Sequence, residues 1–202
     1  MTLDEERQAK EHRWWLSQNA PKTFNWLGGR WTNSDYLKKR FSNFDRSRQP
    51  EAFRVATMFA DRLRGTLVLY GPFGLGKTHL LTGICNALHE KETASKFCTA
   101  PNLFAAIQDC INRHEDYNSI INNAIWTPLL VIDDVDKARY KEFREEVYFD
   151  ILDGRVQRGL PTAISTNLLS DLGSYVGGAC LSRLSIGQLA VEMDGNDYRK
   201  EL

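Results

Sequence analysis

Gly71-Pro72-Phe73-Gly74-Leu75-Gly76-Lys77-Thr78 stands directly after the short apolar run Thr66 to Tyr70 and directly before a stretch that reads as a helix from Lys77 to about His89. A G-x-x-x-x-G-K-T pattern between a strand and a helix is a phosphate-binding loop. Backbone N–H groups can wrap a phosphate chain only where glycines take unusual φ and let the main chain come close. Gly71, Pro72, Phe73, Gly74, Leu75 and Gly76 would form the cradle, with Lys77 reaching the β and γ phosphates and Thr78 offering its hydroxyl to Mg²⁺. The helix beginning at Lys77 points its positive end at the anion. ATP with Mg²⁺ is therefore the expected ligand; an accidental glycine-rich turn would not bring strand, helix and all the fixed positions together.

Outward from this loop, further short β-rich runs occur at Lys96 to Ala100, Pro128 to Ile132, Thr162 to Thr166 and Gln188 to Met193. Helical patterns lie between them, such as Phe143, Val147 and Ile151 at i, i+4, i+8, and Pro50 opens an amphipathic helix carrying Phe53, Ala56, Phe59 and Leu63. Apolar strands alternating with helices imply βαβ crossovers. The expected fold class is α/β, with a five-stranded, mainly parallel sheet flanked by helices.

In such a sheet the strand ends share one edge. The run Leu129 to Asp134 ends in two acids, so Asp133 is expected in the Mg²⁺ shell and Asp134 beside it, polarising an attacking water. Aspartates also follow buried strands simply as loop starters. A small-molecule P-loop kinase would need only the first acid, and a module that holds ATP without turning it over would not need the second. The run Thr162 to Thr166 ends at Asn167, whose amide would hold the lytic water or the γ-phosphate, or else cap a helix beginning near Leu168.

With 202 residues, 42% of them hydrophobic, the chain suits one ordinary domain and a short appendage. A formal net charge of zero means that any grip on a polyanion must come from a local basic patch. Cys85, Cys98, Cys110 and Cys180 lack metal-ligand spacing and read as reduced thiols. Asp4, Glu5 and Glu6 stand where a signal peptide would carry positive charge, and no apolar run approaches a membrane span, so a cytoplasmic protein with no membrane partner is expected.

Residues 1–40 read as an appendage and 41–202 as the ATPase domain. Four of the five tryptophans (Trp14, Trp15, Trp26, Trp31) lie in the appendage, where Thr2 and Glu5 have capping-box spacing for a helix to about Gln18 and Pro21 with Gly28-Gly29 reads as loop. Trp14 and Trp15 suit partner binding and simple packing equally. Between Arg30 and Arg48, basic residues alternate with Trp31, Tyr36, Phe41 and Phe44. That segment could grip single-stranded nucleic acid; the plainer reading packs Phe41 and Phe44 on the ATPase core near the adenine and leaves the charges solvated.

The order strand, P-loop, two-acid strand, strand ending in Asn resembles the core of AAA+ ATPases. Phe41-Ser42-Asn43-Phe44-Asp45 leading into Gln49-Pro50-Glu51-Ala52, the stretch from Val131 through Asn167, Leu181-Ser182-Arg183-Leu184, and Gly195-Asn196-Asp197-Tyr198-Arg199 resemble the bacterial helicase-loader family of the DnaC/DnaI type. IstB-type transposition helpers share the core; the Asp-Tyr-Arg end favours a loader. The resemblance implies ATP hydrolysis in DNA replication, with a replicative ring helicase and single-stranded DNA as partners and a homo-oligomer when active. It also implies that Arg183 acts on a neighbouring subunit's ATP, that Arg199 contacts the subunit's own nucleotide, and that a C-terminal helical lid is nearly absent. The residues before Phe41 do not match the helicase-binding domain, sometimes zinc-bound, that loaders carry there.

Overall fold

The computed structural model describes residues 36, 38–138, 141–185 and 187–198, with the side chains of 141 and 142 excepted. The expected helix to Gln18, the Pro21 to Gly29 loop, Trp14, Trp15, Trp26, Arg30, Trp31 and Arg199 lie outside the described residues.

Among the described residues five strands form one parallel sheet: β1 (Thr66–Tyr70), β2 (Ser95–Thr99), β3 (Leu129–Asp133), β4 (Thr162–Thr166) and β5 (Gln188–Glu192), in the order β2-β3-β4-β1-β5. Around them lie α1 (Pro50–Arg62), α2 (Lys77–Glu90), α3 (Ala100–Asn112), α4 (Asn118–Trp126), α5 (Lys141–Gln157), α6 (Leu172–Val176) and α7 (Gly178–Leu184). The strand register pairs Tyr70 with Thr166, which brings the carboxyl ends of β1 and β4 to one edge.

Successive strand side chains point to opposite faces, and this splits the core in two. Leu67, Leu69, Leu129 and Val131 pack with Val55, Phe59, Leu80 and Ile84 of α1 and α2. Val68, Leu130, Ile132 and Ile164 pack on the other face with Phe104, Tyr148, Ile151, Val176 and Leu184 from α3, α5, α6 and α7. The chain leaving β1 thus crosses one face towards β2, while the chain leaving the adjacent β4 crosses the other face towards β5. Such a divergence opens a crevice beyond the carboxyl ends of the strands, where α/β sheets bind ligands.

Three strands end one residue away from the sequence reading, β2 at Thr99, β3 at Asp133 and β5 at Glu192, the first two for local reasons. Thr99, the last residue of β2, also caps α3, its Oγ1 accepting from the Asn102 N–H at 3.4 Å, so Ala100 belongs to the helix. Asp133, in turn, is still strand, paired with Thr99 of β2.

One buried charge pins the far edge of the sheet. Arg155 of α5 is fully buried and donates to the carbonyls of Ala124, Ile125 and Thr127 at 2.7, 2.9 and 2.8 Å, to Thr162 Oγ1 at 2.9 Å and to the Pro161 carbonyl. Burial pulls its pKa down to about 9, and the surrounding carbonyls leave the guanidinium with acceptors on every side. No described helix is long and apolar enough to cross a membrane.

Candidate nucleotide site

The loop between β1 and α2 is shaped by close approaches that only glycine allows. Gly71 has φ +135°, and a Cβ there would lie 1.9 Å from the Met193 carbonyl oxygen; Gly76 has φ +91°, with the Phe44 ring edge 2.8 Å from its Cβ position. Gly76 is also the N-cap of α2 and supplies no side-chain acceptor, so the first N–H groups of the helix stay directed at the crevice.

Lys77, only 6% exposed, turns back across the loop and donates from Nζ to the carbonyls of Gly71 at 2.5 Å and Pro72 at 2.7 Å and to Asn167 Oδ1 at 3.3 Å. Burial lowers its pKa, against the opposing charges of Asp134, Asp133 and Asp136. Thr78 Oγ1 donates to Asp133 Oδ2 at 2.6 Å, and Ser165 Oγ donates to Asp133 Oδ1. Asp133 is buried, and that burial, with the neighbouring charge of Asp134, raises its pKa to about 6 against the hydrogen bonds from Ser165 and Thr78. Asp134 takes the left-handed conformation, φ 55° and ψ 52°, and its N–H donates to Ser165 Oγ at 2.8 Å; burial raises its pKa as well. The αL turn, tolerated by Asp better than by most residues, swings the second carboxylate away from the strand line followed by the first.

Asn167 caps no helix, since α6 begins at Leu172 with Asp171 before it. Its Nδ2 donates to Asp136 Oδ2 at 2.8 Å and its backbone N–H to Asp136 Oδ1 at 3.3 Å. Lys77, Thr78, Asp133, Asp134 and Asn167 thus come together at one edge. Ser165 and Asp136 join them without having been singled out in the sequence. The signal for Ser165 was a hydroxyl on a wholly buried strand, which must find a partner; Asp136 looks like any loop acid.

Among the described residues no group of three or more His, Cys, Asp or Glu converges as a metal-binding cluster. One carboxylate beside one hydroxyl is nevertheless the donor set suited to Mg²⁺, which takes the rest of its shell from phosphates and water. Asp133 and Thr78 fit that requirement, their oxygens already converging at 2.6 Å.

The segment before α1 lies against α1 and α2. Phe44 stacks on Phe53 at 5.9 Å and meets the His79 ring edge-on at 5.2 Å, while Phe41 meets Phe53 at 5.7 Å. His79 Nε2 faces Arg40 O at 2.9 Å and Asn43 Oδ1 at 3.0 Å, two acceptors, so it carries the proton. Arg40 pairs with Glu90, Arg48 pairs with Asp45 and lies over the Tyr198 ring, and Lys39 lies over Tyr36. These contacts match the plainer reading of Phe41 and Phe44, and the cations at 39, 40 and 48 are held by the protein itself. On the opposite side of the loop, Tyr198 N–H donates to Gly74 O at 3.2 Å, and Gln49 Nε2 donates to Asp194 O at 2.7 Å and to Tyr198 Oη at 2.6 Å.

Arg183 stands apart. It lies on α7, its Nη1 is 2.5 Å from Asp153 Oδ1 of α5, and its guanidinium sits 5.4 Å from the Phe149 ring centre.

With this arrangement established, known proteins place the chain. The family model described as "Bacterial DnaA ATPAse domain" matches residues 39–167. The chain belongs to the bacterial DnaA ATPase domain family. Membership implies nucleotide binding. A curated relative, the replicative helicase loader DnaI of Bacillus subtilis (strain 168), is 33% identical over 106 residues, 52% of this chain. The chain spans about a third of that relative's length, 34%. A crystal structure of DnaI superposes with a TM-score of 0.70 at 23% identity, over 83% of this chain and 94% of that one. AMPPCP-bound DnaA from Aquifex aeolicus superposes at 0.69 with 21% identity, over 81% of this chain and 52% of that one. At these identities the structural likeness shows the fold, that of the AAA+ P-loop ATPases.

Proposed function

We propose that this chain hydrolyses ATP as a helicase loader in DNA replication, helping several copies of itself to place a ring helicase on single-stranded DNA. The observation that carries the chemistry is the convergence of Lys77, Thr78–Asp133 and Asn167 on one strand edge, beside helix N–H groups directed at the same crevice. In this reading residues 71–76 hold the phosphates, Lys77 trades its loop carbonyls for phosphate oxygens, and Asp134 accepts a proton from the attacking water. Bound Mg²⁺ at Thr78 and Asp133 would neutralise phosphate charge. Arg183 serves a neighbouring copy, a role supported by its place on α7 with partners on α5. Arg199 contacts the subunit's own nucleotide. The loader role rests on kinship with DnaI, a replicative helicase loader.

Turnover of ATP by the purified chain, with and without single-stranded DNA, tests the chemistry, and capture of a replicative helicase tests the role. Asp134→Asn should keep nucleotide affinity and lower turnover by about tenfold to a hundredfold, the usual worth of a placed general base. Normal turnover in that variant would remove Asp134 from the chemistry. Phosphate transfer to added small acceptors would instead mark a kinase.

A further inference from the structure

The Asn167 amide stands between two partners of opposite kind. Lys77 Nζ, 3.3 Å away, only donates; the Asp136 carboxylate, 2.8 Å away, only accepts. This settles which way the amide faces: oxygen towards Lys77, NH₂ towards Asp136. Asp136 reaches this position because the 3-10 turn Val135–Lys137 follows β3, while Asn167 follows the adjacent β4. Its side chain is only 7% exposed. Both its oxygens are used, Oδ1 by the Asn167 N–H, and Oδ2 by Asn167 Nδ2 and by Lys137 Nζ at 2.9 Å. An amide at position 136 would offer one acceptor where the carboxylate offers two.

We propose that Asp136 is a positioning residue that turns Asn167 so that its carbonyl oxygen, and not its NH₂, faces Lys77. Asn167 then acts in the site as an acceptor. It steadies the Lys77 ammonium and can receive a hydrogen bond from water, whereas an oxygen turned to the phosphate would only repel it. This rests on the reading of the site as an ATPase, but the contact itself exists without nucleotide and can be tested there.

A pair of exchanges separates positioning from simple packing. Asp136→Asn keeps size and shape yet lets Asn167 turn over, and a reacting group displaced by about 1 Å can lose on the order of 10²-fold in rate. Turnover should fall at least about tenfold while nucleotide affinity stays within about threefold. Adding Asn167→Asp to Asp136→Asn swaps donor and acceptor: the new amide keeps its oxygen for the 167 N–H, gives its NH₂ to the new carboxylate, and an oxygen again faces Lys77. The double variant should recover at least about threefold over Asp136→Asn. Wild-type turnover in Asp136→Asn, or a double variant no better than the single one, overturns the proposal. In the nucleotide-free protein, the Asn167 NH₂ resonance should shift and lose exchange protection in Asp136→Asn. An unaltered resonance also overturns it, whether or not the wild type hydrolyses ATP.

Discussion

Lys77 and Arg183 carry the two positive charges on which the proposed chemistry depends, and their surroundings differ in kind. Lys77 is enclosed by its own chain: two loop carbonyls, the Asn167 oxygen and three nearby carboxylates from the end of β3 and the turn after it. Arg183 has a side chain 42% exposed and pairs with the carboxylate of Asp153. The first site is completed within one subunit. The second has a cation at the surface with its carboxylate on the neighbouring helix, an arrangement that leaves it open to another molecule. A functional charge that works in cis can be recognised from local sequence, because loop, strand and helix must all be shaped around it, whereas one that works in trans leaves little local trace.

Removing Lys77 should have the largest effect. Lys77→Ala loses the charge-assisted bonds to phosphate, each worth about 1.5–3 kcal/mol, so nucleotide affinity should fall by a hundredfold or more, on the order of a few kcal/mol. Equilibrium titration with a fluorescent nucleotide measures it. Unchanged affinity would end the ATPase reading.

Arg183→Ala should behave in the opposite way, leaving each subunit's own affinity nearly intact while hydrolysis in the assembled state drops on the order of 10³-fold, as for arginine fingers of related enzymes. Mixing sharpens the contrast. A subunit with Arg183→Ala but a sound P-loop can be served by a neighbour with Lys77→Ala but a sound arginine, so the mixture should recover activity that neither has alone. The measurement belongs at high protein concentration with single-stranded DNA present. No recovery despite demonstrated co-assembly would place Arg183 outside the chemistry.

The same contrast explains what could be read from the sequence. Thr66–Tyr70 and Thr162–Thr166 have the bounds expected from their apolar runs. The glycine spacing of the P-loop was legible because the close approaches and positive φ at Gly71 and Gly76 admit no other residue. Asp136 and Ser165 were not, since each acquires its partners only when β3 and β4 pair, across 31 and 32 residues of chain. Arg155 hides for a related reason: its acceptors come from the end of α4 and the approach to β4, and nothing near it in sequence marks an arginine for burial. In the basic stretch before α1, the fold brings Glu90, Asp45 and the Tyr36 and Tyr198 rings to three of the cations.

The smallest effect is expected at Asp153. Its Oδ1 lies 2.5 Å from Arg183 Nη1 without the alignment of a hydrogen bond, and its Oδ2 accepts from Gln157 Nε2 at 2.7 Å. With Arg183 partly in solvent the attraction is screened and worth about 0.2–1 kcal/mol. An arginine that serves a neighbour must give up this pair on assembly, so Asp153 competes with the neighbour's phosphate for the guanidinium. Asp153→Asn removes that competition while keeping the contact to Gln157. Thermal unfolding should change by no more than about 1 kcal/mol. Hydrolysis in the assembled state should rise by up to about fivefold, the population shift that 1 kcal/mol allows, and stay unchanged in dispersed subunits. A fall in assembled activity would give Asp153 the opposite part: presenting Arg183 to the neighbouring subunit rather than withholding it.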